Sequence, residues 1–107
     1  MLLYIYKTLL SVWGDMMDDQ MRETVMHNMT LNLPTLRCKM GASQEDLAAM
    51  VGVCRSTISN IENKRQPLQW SLFLSLLMIF TNNEETKKLL VPMEIYTDEF
   101  KEMIKSK

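Results

Sequence analysis

The sequence predicts an all-α domain. Two observations predict it. Glycine and proline are scarce, at three each in 107 residues, and β-branched runs are few. Apolar residues also recur at helical spacings behind capping residues such as Ser43, Asn32 and Thr97. A chain of this length fits one domain, and 47% apolar residues are enough to bury a core without disulfide or metal staples.

Taken in order, residues 1–13 are apolar but shorter than the roughly 20 residues that span a bilayer. They lack a basic leader and a small-residue cleavage site, so they make a poor signal peptide. Met16, Met17 and Met21 are plausible alternative initiators, so residues 1–15 are expected to be a variable or poorly ordered extension. Residues 15–28 read as a helix capped by Asp15 with acidic residues in its first turns. Met17, Met21, Val25 and Met26 form its apolar stripe, either core or a methionine-rich partner surface. Met29–Pro34 reads as a break, because proline is tolerated only in a first helical turn, and a short helix over 35–40 then stops at Gly41.

Ser43 caps the next helix, which buries Leu47, Ala48 and Val51. Gly52 permits a sharp turn, and Cys54 or Arg55 opens a second helix that Asn63 can end in the left-handed conformation. Lys64–Gln69 is a loop. Residues 70–80 are apolar almost all round, so they form a central helix or one that also meets a partner. Asn82 and Glu85 have capping-box spacing for a helix that packs Leu89, Leu90 and Val91 inward and stops at Pro92. Thr97 caps a last helix with Phe100, Met103 and Ile104 on one stripe. The organisation expected is an extension and acidic helix over 1–28, a central unit over 29–92 and a C-terminal helix over 93–107.

Net charge is −1, unlike a body that binds nucleic acid non-specifically. Its distribution is more informative. Residues 1–36 carry −2, residues 66–107 carry −1, and residues 37–65 carry +2. The positive segment contains the two-helix stretch Ser43–Arg65. Its second helix offers Arg55, Ser56, Ser59 and Asn60 outward over Val53, Ile58 and Ile61, a face suited to a DNA groove.

SQEDLA, MVGV and CRSTISNIEN, in register, resemble the helix-turn-helix of the phage-repressor-like bacterial regulators called the Xre or Cro/C1 type, over about Leu33 to Phe80. The resemblance implies a five-to-six-helix, lambda-repressor-type domain. It implies a transcriptional regulator, such as a repressor, that binds an inverted repeat in double-stranded DNA as a cytoplasmic, nucleoid-associated homodimer. Arg55, Ser56, Thr57 and Asn60 are the candidate base readers: arginine forks onto guanine, asparagine pairs with adenine, and Thr57 offers its methyl to thymine or bonds a phosphate. Arg55 can instead meet phosphate alone. Candidate phosphate contacts are Arg37, Ser43, Gln44, Ser59, Asn63, Lys64 and Arg65. The family also implies that Gln44 braces the start of the second helix and that Arg37 bridges Glu62. As an exposed pair that bridge contributes only ~0–1 kcal/mol. The chain departs from the family at Asn63-Lys64, where Asn-Gly is usual.

Other chemistry is weakly supported. His27 is the only histidine, and Cys38 and Cys54 lack metal-ligand spacing, so no metal, cofactor or catalytic set is expected. The cysteines read as reduced thiols, and Cys54 beside Arg55 at a helix start is either an inert small residue or a redox-sensing thiol. The rival reading is a protein-interaction module, such as an antitoxin that also binds DNA and grips a partner through its terminal helices.

Overall fold

The structure is a computed structural model that describes residues 19–105. Six helices occur among them: α1 (Asp19–Lys39), α2 (Gln44–Val51), α3 (Arg55–Glu62), α4 (Trp70–Thr81), α5 (Glu84–Lys87) and α6 (Asp98–Lys105). The fold is all-α and repressor-like, with α2 and α3 as the helix-turn-helix pair.

The first correction concerns α1. The expected break at Met29–Pro34 is absent, and one helix of 21 residues runs through Pro34. Its cause is a single buried stripe: Val25, Met29, Leu33 and Leu36 are each at most 2% exposed. Their spacings of four, four and three place them on one helix face, so a break would turn part of the stripe out of the core. Burying side chains of this size stabilises by about 1.5–3 kcal/mol each, which outweighs the roughly 3 kcal/mol that an internal proline costs. Asn32 is a side-chain donor to the Asn28 carbonyl rather than a cap. Of the expected methionine stripe, Val25 is core and Met21 and Met26 pack against it; Asp15 and Met17 lie outside the described residues.

Three turns after helices share one geometry. At Gly41, Gly52 and Lys64 the chain takes positive φ (76°, 76° and 61°). At Gly41 and Lys64 the following N–H reaches back five residues: Ala42 donates to the Arg37 carbonyl (3.1 Å) and Arg65 to that of Asn60 (2.8 Å). At Gly52, Val53 donates likewise to Ala48 (3.0 Å). These bonds satisfy helix-end carbonyls and reverse the chain tightly enough for α1, α2 and α3 to share one core. A second correction follows. Asn63 has φ −90° and does not take the left-handed conformation; Lys64 does.

The second half closes the core. Phe73, Leu76, Leu77 and Phe80 of α4 are buried, whereas Leu74 and Met78 are 40% and 66% exposed, so α4 is apolar all round but covered on one side only. Asn83, not Asn82, caps α5, accepting from the N–H groups of Glu85 and Thr86. Asn82 instead closes α4, its side chain donating to the Met78 carbonyl. The expected long helix is a single turn followed by irregular turns. Leu90 is buried, Leu89 is half-buried, and Val91 is exposed rather than packed inward. Buried Thr86, whose hydroxyl donates to the Phe80 carbonyl at 2.7 Å, ties α5 to the end of α4.

Thr97 caps α6 by accepting from the Phe100 N–H. Phe100 packs edge-on to Phe73 and Tyr96, and Trp70 stacks on Phe73 at 5.0 Å. The Met103 and Ile104 side chains lie outside what is described.

Candidate nucleic-acid interface

Ser43 begins α2 with a reciprocal cap. Its hydroxyl accepts from the Asp46 N–H (2.9 Å), and its own N–H donates to the Asp46 carboxylate (3.0 Å). The hydrogen bonds from the Ser43 backbone and then its hydroxyl hold Asp46 below the ordinary carboxylate range. The cap fixes where α2 starts, and Gln44 stands in its first turn.

Cys54 precedes α3 in an extended conformation and gives no side-chain cap; it and Cys38 are exposed free thiols. Ile58 and Ile61 are fully buried, so their face sets the roll of α3. Arg55 and Ser56 are thereby exposed, and Thr57, Ser59 and Asn60 are half-buried along the rim of the same helix. Asn63, Lys64 and Arg65 are exposed in the exit turn, where the Asn63 amide donates to the Ser59 hydroxyl at 3.3 Å. Every base-reading candidate therefore lies on α3.

Behind this face is an ionic knot. Arg37 Nε and Nη2 donate to the two oxygens of Glu62 (2.8 and 3.1 Å), and Nη1 donates to the Ala42 carbonyl (3.1 Å). Gln44 Nε2 adds a bond to Glu62 Oε1 at 3.0 Å. The side chains are only 16% and 6% exposed, so the pair is bidentate and largely sequestered rather than the exposed bridge expected. The Glu62 hydrogen bonds raise the Arg37 pKa above its ordinary value, against the lowering effect of burial. The Gln44 amide braces the end of α3 through Glu62, in place of the expected brace at its start. The knot joins α1, the α1–α2 turn, α2 and α3.

Two residues of the site were not singled out in the sequence. Ala42 supplies a carbonyl to Arg37. Gln66, in the loop after α3, faces Asn60 with its side chain. Neither position carries a motif, and the second contact exists only because the chain reverses at Lys64.

Lys64 offers a direct check on that turn. An L-residue in the left-handed region costs about 1–2 kcal/mol, partly offset by the entropy a glycine loses on folding. Lys64→Gly is therefore expected to raise stability by about 0.5–1 kcal/mol in urea denaturation. If Lys64 meets a phosphate, the same substitution lowers the salt dependence of DNA binding by about one charge.

A polar helix seated on an apolar base, preceded by a capped helix and a tight turn, has the form of a helix-turn-helix unit. Residues 35–69 match the family model described as helix-turn-helix. The match spans the end of α1, both helices of the pair and the loop to Gln69. Comparison with curated proteins and with solved structures finds no match. None of the described helices is long and apolar enough to cross a membrane, and no group of three or more His, Cys, Asp or Glu residues among the described residues is arranged to hold a metal ion.

Proposed function

We propose that the protein is a sequence-specific regulator of transcription, acting as a repressor, that reads the major groove of duplex DNA with α3. One observation carries this reading. The buried pair Ile58 and Ile61 fixes the roll of the helix so that Arg55 and Ser56 are exposed and Thr57 and Asn60 are half-buried along the rim, in the only net-positive segment of the chain. Arg55 forks onto guanine and Asn60 onto adenine. Ser43, Gln44, Ser59, Asn63, Lys64 and Arg65 meet the flanking phosphates, and Arg37 serves chiefly to hold Glu62 and the α3 exit in place.

A segment excess of only two positive charges gives modest affinity per protomer. The reading therefore includes a homodimer on an inverted repeat, with half-sites about one helical turn apart. On this reading the protein works at the nucleoid of the bacterial cytoplasm, with no catalytic step. The exposed Leu74 and Met78 on α4 favour a second reading: the same helix-turn-helix coupled to a protein partner, as in an antitoxin.

Selection of bound duplexes from random DNA tests the first reading, since it reports binding, motif and half-site spacing together. Arg55→Ala and Asn60→Ala are each expected to cost about 1–3 kcal/mol of discrimination at one base pair, with the fold intact by circular dichroism. Recovery of the same sequences by both variants and the parent would sink the assignment of α3 as the reader.

A further inference from the structure

The loop after α3 makes a contact that the base-reading scheme leaves unused. Asn60 Nδ2 stands 3.5 Å from Gln66 Oε1, at the long end of the hydrogen-bond range, and both side chains are half-buried. Gln66 is held from two directions. Behind it, Lys64 reverses the chain at φ 61° and the Arg65 N–H donates to the Asn60 carbonyl at 2.8 Å, pulling the loop across the last turns of α3. Ahead of it, Pro67 restricts the Gln66 backbone to extended conformations, and buried Leu68 anchors the loop in the core.

We propose that Gln66 is a positioning residue that holds the Asn60 carboxamide in the orientation from which it reads a base, so that base-pair preference at one operator position depends on both residues. The inference rests on the reading of α3 given above. A carboxamide nitrogen carries two hydrogens and its oxygen two lone pairs. Gln66 engages one hydrogen of Asn60, leaving the other and Oδ1 for the N7 acceptor and N6 amino donor of adenine. Holding the amide before DNA arrives also reduces the rotamer freedom lost on binding.

The test is a double-substitution cycle on the full chain, using the duplex that the parent selects and its single-base variants. Gln66→Met keeps the apolar stem and removes the amide; Gln66→Ala, run beside it, removes both. Each is expected to reduce preference about three- to tenfold at the base pair that Asn60→Ala relaxes, and to reduce nothing further when Asn60 is already alanine. The urea midpoint of Gln66→Met is expected to equal that of the parent. Loss of preference at a different base pair, or loss that persists beside Asn60→Ala, would make Gln66 a reader in its own right and overturn the inference. Undiminished preference in both Gln66 variants also overturns it, while leaving the reading of α3 standing. A parent chain that selects no DNA sequence removes both together.

Discussion

Arg37→Ala is expected to destabilise the protein by about 3–5 kcal/mol in urea denaturation, a large share of the stability of a domain this size. The loss arises mainly from what is left behind. Glu62 is 6% exposed, and without Arg37 its carboxylate keeps only the Gln44 amide as a partner among the bonds described. The Ala42 carbonyl loses its side-chain donor in the same step. Replacing both charges, as Arg37→Met with Glu62→Leu, is expected to cost much less, because an apolar pair leaves no buried charge without a partner. A single-variant loss under about 1 kcal/mol would mean that the pair behaves as a solvated surface bridge. At fixed folded fraction the double variant is also expected to bind DNA less selectively, since the Glu62 end of α3 has lost its three side-chain bonds.

Pro34→Ala is expected to act in the opposite direction, stabilising the fold by about 2 kcal/mol. Proline inside α1 removes one helical hydrogen bond and crowds the Thr30 carbonyl, at a cost of about 3 kcal/mol; alanine regains that but gives back the stiffness proline lends the unfolded chain. The gain is read as a higher urea midpoint with an unchanged slope. No gain, or a loss, would indicate that the chain needs a break near residue 34.

The two-helix unit was legible in the sequence because its signals are local. Ser43 as a cap, Gly52 at the turn, and Ile58 and Ile61 at helical spacing each act within a few residues, and each appears where expected. The Arg37–Glu62 pair came from the family resemblance; its distance and burial did not. The break at Met29–Pro34 was misplaced because Pro34 is a strong local signal, and Met29, Leu33 and Leu36 count as one stripe only when the core they enter is known. The same limit applies to the segment after α4, where Asn82 and Asn83 are both competent caps and packing selects the second.

Lys64 shows where the division lies. The family resemblance marked it as the residue standing where a glycine is usual, and so marked the exit of α3 as unusual. Only the tertiary structure decided that Lys64 itself takes the positive φ, that Arg65 then closes on Asn60, and that Gln66 is brought against the outer face of α3. By itself the sequence determined an all-α domain, the position of the helix-turn-helix and the polar face of its second helix, because capping and helical periodicity are properties of neighbouring residues. The continuity of α1, the sequestered Arg37–Glu62–Gln44 knot and the Asn60–Gln66 contact join residues distant along the chain or across a turn, and their energies exist only once the core has brought them together.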